Sequence, residues 1–383
     1  MTFAHTLESI VADEALRRAE FPVVADKIYL AHAAVCPLAA CVVRALAAYL
    51  EQVGRGGQFE HLHAQAEQEA RALAAAMIGA SPDEIAFVSS TSAGLSLIAA
   101  GLSWQRGDSV VIAQGDFPSN VYPWLRLERL GVRVKTIASR DDRGITLDDV
   151  IAQLDDSTRL VALSTVHFAT GARTALDAIG RELEQRGVLF CVDAIQSLGA
   201  GPTSAKHVDF MVADGHKWLL GPQGIGIMFV RRSRFELLEP LLVGWKSMRD
   251  SRDFVQQRLD FADSARRYEP GSLNALGLIG LHAALDMLQR VGIEAIAKRL
   301  AVLRARLVPA LLDKGYDVLA RDADSSIVSF RSERRDVANL HRSLDAQQII
   351  TSLRQDPHGR DCLRLAPHFY NDEREIDRLL SLL

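Results

Sequence analysis

The chain of 383 residues is 48% hydrophobic and 24% charged, ordinary values that exclude disordered, collagen-like and supercharged classes. Its 44 basic and 48 acidic residues leave a net charge of −4 and a pI near 6.3, which offers no electrostatic footprint for nucleic acid. The length exceeds one ordinary core and predicts two closely packed domains.

The N-terminal MTFAHTLESIVADEALRR has acids where a signal peptide needs a basic head before an apolar block. The longest apolar run, Ala33 to Val43, contains Pro37 and is well short of the roughly 20 residues of a membrane span. Cys36, Cys41, Cys191 and Cys362 are too few and too scattered for a disulfide framework, so a reducing cytoplasm is the expected home. From about residue 85 to 230, short apolar runs alternate with amphipathic stretches. IAFV (85–88), SVVIA (109–113), VRVKTI (132–137), RLVALS (159–164), VLFCV (188–192), VDFMVA (208–213) and IGIMFV (225–230) read as strands. Residues 91–102, 119–130, 146–154 and 175–187 read as helices. Strands without polar alternation are buried on both faces, which predicts an α/β fold: a mainly parallel sheet flanked by helices. Ligands of such sheets bind beyond the carboxyl ends of the strands.

The segment 249–271 is polar, carries both signs of charge, and reads as a connector or a substrate-side loop. Long helical patterns follow at 274–292 and 294–315, then strands around YDVLA and SSIVSFR, which predicts a smaller C-terminal α+β domain. The expected division is a large domain over 20–250 and a small one over 251–383 together with residues 1–19.

The stretch from Cys191 to Val230 carries the chemistry. Asp193 ends one strand and Lys217 follows the next. A lysine between buried strands is desolvated, which lowers its pKa and makes its amine nucleophilic, as a Schiff base requires. An acid placed to meet a pyridinium nitrogen is what pyridoxal phosphate needs as an electron sink.

From IYLAHAAVCPL near residue 28 to RLAPHFYNDEREIDRLL at the end, the ordered motifs resemble the class V aminotransferases. These are a branch of the fold-type I pyridoxal-phosphate transferases that includes cysteine desulfurases, selenocysteine lyases, isopenicillin N epimerases and kynureninases. The resemblance implies Lys217 as the Schiff-base lysine, Asp193 as the partner of the pyridine nitrogen and Gln196 as a donor to the cofactor's phenolate oxygen. It implies Thr91, Ser92 and His216 as phosphate ligands, with helix capping as the plainer role of Thr91 or Ser92. Gly271 and Ser272 in YEPGSLN match a segment that crosses a dimer interface to the neighbouring subunit's phosphate, and they also suit a turn and a helix cap. That carry-over implies an obligate homodimer.

Phe117 in GDFPSN matches the ring that stacks on the pyridine, where desulfurases have histidine. Phe168 and His167 fall beside the cofactor, His167 either as an acid or base or as a structural strand-end residue. Arg364 matches the clamp on the substrate's α-carboxylate. Arg354 matches a second basic position or forms a surface ion pair. Tyr122, Trp245 and Lys246 are candidates for the substrate side. The loop between Arg354 and Arg364 is short and Cys362 lies two residues before Arg364, so persulfide formation is disfavoured.

These features together predict a pyridoxal-phosphate enzyme on a small α-amino acid, an aminotransferase or carbon–sulfur lyase, with no metal. Epimerisation and kynureninase-like hydrolysis are the alternatives, and a catalytically silent amino-acid-binding homologue is the alternative of another class.

Overall fold

Seven of the apolar runs assemble into one sheet. The computed structural model describes residues 3, 5–58, 63–140, 142–255 and 257–383. The strands are β1 (Ile85–Val88), β2 (Ser109–Ala113), β3 (Arg133–Ile137), β4 (Thr158–Ser164), β5 (Leu189–Asp193), β6 (Phe210–Asp214) and β7 (Gly226–Val230). Their order is β1-β7-β6-β5-β4-β2-β3. Strands β2 to β6 run parallel, and β7 lies antiparallel between β6 and β1. Every residue of β1, β2, β5, β6 and β7 is buried, which is why these segments show no alternation. Edge strand β3 carries the exposed Arg133 and partly buried Lys135, charges that discourage pairing with another chain.

The sheet divides the interior into two apolar clusters. Val111, Val161, Phe190 and Met211 point to one side, and Val110, Leu160, Cys191 and Phe210 to the other. Helices α1 (Ala40–Arg55), α2 (His63–Ile78) and α5 (Ala275–Val291) pack together, while α3 (Thr91–Gly101) covers β6 and β7 and α4 (Leu176–Arg186) covers β5. The stretch 119–130, expected as one helix, breaks into a 3₁₀ turn Pro118–Asn120, one α turn Tyr122–Leu125 and a second 3₁₀ segment Arg126–Leu130. Pro118 and Pro123 lack the N–H that a continuous helix needs there.

Residues 215–225 hold no helix. A parallel return needs a crossover of about a dozen residues or more, so the chain doubles back into β7, and this turn presents His216 and Lys217 at the carboxyl end of β6. The C-terminal sheet is antiparallel, with β8 (Asp317–Leu319), β9 (Val328–Arg331), β10 (Ser352–Gln355) and β11 (Asp361–Leu365) in the order β10-β11-β9-β8. Helix α6 (Ile293–Asp313) packs on β8 and β9. The N-terminal segment is tied to this unit: Arg17 pairs with Glu375 at 3.0 Å and donates to the Tyr370 carbonyl, and Ile28–Tyr29 adds alongside Ile349–Ile350.

Candidate active site

The carboxyl ends of β4, β5 and β6 meet the C-terminal sheet around Lys217. Asp193, the last residue of β5, is buried, and its Oδ1 accepts the Ile195 N–H at 3.0 Å. Burial raises its pKa to about 7, and the neighbouring Asp116 charge adds to the rise. Lys217 is buried as well. Loss of water lowers its pKa to about 8 against the pull of Asp193, and the charges of Arg364 and Arg354 lower it further. An amine whose pKa is lowered toward neutrality, beside an acid that can keep its proton, is readily deprotonated to a nucleophile with a proton donor close by.

Two of the expected phosphate ligands have a buried polar atom with no hydrogen-bond partner among the described residues. Ser90 caps α3 by accepting the Ala93 N–H at 3.1 Å, so neither Thr91 nor Ser92 is the cap. Among the described residues the buried Thr91 Oγ1 has no hydrogen bond, and the exposed Ser92 hydroxyl meets that of Ser119 at 2.6 Å. His216 Nδ1 is 3.0 Å from Asp214 Oδ1 but misaligned, and it too has no hydrogen-bond partner. Buried polar atoms are nearly always satisfied. Thr91 lies in the first turn of α3 and His216 in the turn after β6, and each offers a buried polar atom with no hydrogen-bond partner among the described residues.

Phe117 lies over the lysine, with Lys217 Nζ 5.3 Å from the ring centroid, and Phe168 packs edge-on to it at 5.3 Å. Asp116 holds this wall by accepting the Phe117 N–H at 2.7 Å, the Ser164 hydroxyl at 2.7 Å and the Asn120 amide at 3.1 Å. Both nitrogens of His167 are engaged. Nδ1 accepts the Thr170 N–H at 3.2 Å, so Nε2 carries the proton and donates to the Gly115 carbonyl at 3.0 Å. Gln196 is buried, donating to the Ala33 carbonyl and accepting from the Trp218 indole.

From the other side comes Arg364 on β11. It is 1% exposed, donates to the Phe168 carbonyl at 2.5 Å and reaches Ser352 Oγ at 3.5 Å, while its Nε is unpartnered. Burial, with Arg354 close by, lowers its pKa to about 9. Arg354 donates to its neighbour's carbonyl, and neither arginine has an acidic partner among the described residues. The turn 356–360 is pinned by the buried Asp356, which accepts the N–H groups of His358 and Arg360 and pairs with Arg331 and Arg360. Cys362 is wholly buried, its thiol pushed up to about 12 by loss of water.

No hydrogen bond among the described residues joins Gly271 or the exposed Ser272 to Thr91, Ser92 or His216. Tyr122 is 66% exposed and Trp245 48%, while Lys246 pairs with Glu67 at 2.7 Å. Asp116, Ser352 and Thr165, whose Oγ1 is also orphaned beside the Asp193 carbonyl, gave no sequence signal. Their types are common and only the sheet register brings them to the site. Trp218 follows Lys217 directly, and an indole fixed in the lysine turn was the available clue.

A buried lysine and acid, an unpartnered threonine hydroxyl in the first turn of α3, an aromatic wall and a buried arginine without an acidic partner among the described residues fit pyridoxal phosphate and an amino acid, and the fold is that of the fold-type I pyridoxal-phosphate enzymes. The family model described as aminotransferase class-V matches residues 28–379, and the chain belongs to that family. It is 35% identical, over 288 residues, to a probable cysteine desulfurase of Methanothermobacter thermautotrophicus, covering 73% of this chain and 71% of that one. The apo structure of a cysteine desulfurase from Thermococcus onnurineus NA1 superposes with a TM-score of 0.88 at 26% identity, covering 100% of this chain and 98% of that one. A C-DES mutant with glycine covalently linked to its pyridoxal-phosphate cofactor superposes at 0.87 with 24% identity, over 95% of this chain and 98% of that one. The enzyme's cofactor is pyridoxal phosphate.

Proposed function

We propose that this enzyme is a homodimer acting on a small, cysteine-like α-amino acid, cleaving its carbon–sulfur bond or transferring its amino group, without forming a persulfide on the protein. The observation that carries the reading is Arg364: a buried guanidinium with an unpartnered Nε and no acidic partner among the described residues, close enough to Lys217 for its charge to lower the pKa of the amine. A free carboxylate is the ligand that would satisfy it. The naming of relatives as cysteine desulfurases supports sulfur chemistry.

Bound pyridoxal phosphate supplies the electron sink that makes the Cα–H bond acidic. Lys217 anchors the cofactor and, with its amine near neutrality, takes and returns the Cα proton. Asp193 holds the charge on the pyridine nitrogen, and Arg364, with Arg354 beside it, orients the α-carboxylate. Thr91, Ser92 and His216 bind the phosphate, and Gly271 and Ser272 complete the phosphate site of the neighbouring subunit. Phe117 and Phe168 exclude water. The exposed Leu241, Leu242 and Trp245, close in sequence, and Phe254, whose ring lies 6.5 Å from that of Trp245, support a dimer, since clustered exposed apolar groups mark interaction sites. The four free, buried cysteines suit a reducing cytoplasm.

Persulfide transfer needs an accessible thiolate on a mobile loop. Cys362 is buried on β11 with its thiol held protonated, and the preceding turn is pinned by Asp356.

The test offers purified holoenzyme a panel of amino acids, L-cysteine and cystine included, with and without a 2-oxo acid. Pyruvate and ammonia without acceptor identify the lyase; conversion of the cofactor to its amine form, reversed by the 2-oxo acid, identifies the transferase. Sulfur trapped on Cys362, or no product from any amino acid, overturns the proposal.

A further inference from the structure

Gln196 is held from two sides by groups of opposite character. The indole N–H of Trp218, which can only donate, points at one end of its carboxamide at 2.9 Å. A carbonyl, Ala33, which can only accept, meets the other end at 3.0 Å. The two ends of a glutamine amide look alike, and a flip is normally a matter of inference, but here chemistry allows one orientation. The oxygen faces Trp218, and the NH2 faces away with one hydrogen on Ala33 and one to spare.

Trp218 is itself immobilised. It is fully buried, its carbonyl accepts His368 Nε2–H at 3.1 Å, and its ring lies 5.6 Å from the His368 ring and 6.3 Å from that of His32. His368 Nδ1 accepts the Phe369 N–H, which leaves the ring proton on Nε2. Gly199, with φ of +95°, passes so close that a Cβ there would lie 2.2 Å from the Trp218 carbonyl oxygen, so only glycine leaves the tryptophan in place.

We propose that Trp218 is a positioning residue that fixes the amide of Gln196 with its spare N–H presented to the phenolate oxygen of bound pyridoxal phosphate. This rests on the reading that Gln196 lies at that oxygen. An N–H there draws charge away from the nitrogen that joins the cofactor to Lys217 and makes that nitrogen easier to deprotonate. A carbonyl oxygen there would repel the phenolate and do the opposite. Without the indole N–H only the Ala33 carbonyl still favours this flip, so the amide is held less firmly and its spare N–H is presented a smaller part of the time.

The experiment titrates the visible absorption of the holoenzyme with pH. Trp218 is replaced by benzothienylalanine, which keeps the shape and puts sulfur in place of N–H, and in parallel by phenylalanine. Gln196→Ala is expected to raise the titration midpoint by about one unit, the scale of one hydrogen bond to a charged group. Both Trp218 replacements raise it in the same direction, and neither shifts it further once Gln196→Ala is present, because the two act through one contact. A merely structural tryptophan lowers the melting temperature and leaves the midpoint in place. If Gln196→Ala moves the midpoint and the benzothienylalanine protein does not, the role of Trp218 is overturned while Gln196 keeps its own. If Gln196→Ala moves nothing, both fall.

Discussion

Two groups of buried charge in this molecule are treated in opposite ways. Beneath the segment that leads to Gly271 and Ser272, Glu269 accepts Arg71 at 2.9 and 3.1 Å and the Phe87 N–H at 2.8 Å, while Glu67 accepts Arg71 at 2.8 Å and Lys246 at 2.7 Å. Two acids meet two bases, Arg71 lies over the Phe87 ring, and the cations outweigh burial to hold Glu67 below the usual carboxylate range. Near Lys217, by contrast, Arg354 and Arg364 lie close to each other and neither pairs with an acid among the described residues, and burial lowers both of their pKa values. Burying a charge costs several kcal/mol unless it is matched. The charges of the first group are matched inside the chain, whereas the two arginines near Lys217 have no acid matched to them among the described residues.

That contrast can be broken at several points. Lys217→Ala has the largest expected effect: it abolishes turnover and borohydride no longer fixes the cofactor to the protein, and normal turnover would remove the lysine from the chemistry. Glu269→Gln breaks the matched cluster and costs about 3–5 kcal/mol of stability, read by urea unfolding. Arg364→Met removes an unmatched charge. It weakens amino-acid binding by about 2–4 kcal/mol yet leaves unfolding unchanged or stabilised; a loss of stability like that of Glu269→Gln would erase the distinction.

A smaller effect appears in the pH dependence of the cofactor-free protein. Asp193 keeps its proton to about pH 7 when folded but loses it near pH 4 when unfolded, so its ionisation disfavours the folded state progressively between those values. Asp193→Asn escapes this. Its melting-temperature advantage over the parent grows from pH 4 to 7 and is flat above, whereas a constant difference would mean the acid is ionised throughout. Smallest of all is Cys362→Ala, which leaves turnover intact; loss of activity with normal folding would restore the thiol to the mechanism.

The sequence by itself determined the strands, since runs such as SVVIA and VLFCV can be stable only when buried on both faces. It also determined the acid–lysine spacing, because residues at the ends of successive parallel strands share one edge of the sheet. The aromatic Phe117 and the scarcity of cysteine were legible too, through the types of residue present. What the tertiary structure alone decided was pairing. Only the fold made Ser90 the cap and left Thr91 Oγ1 free, broke the expected helix at 119–130, and occupied both nitrogens of His167. It likewise withdrew Lys246 into an ionic cluster, left Arg364 without one, and joined Trp218 to Gln196. A side chain's type is written in the sequence, but whether its charge or N–H is already satisfied depends on neighbours that are distant along the chain.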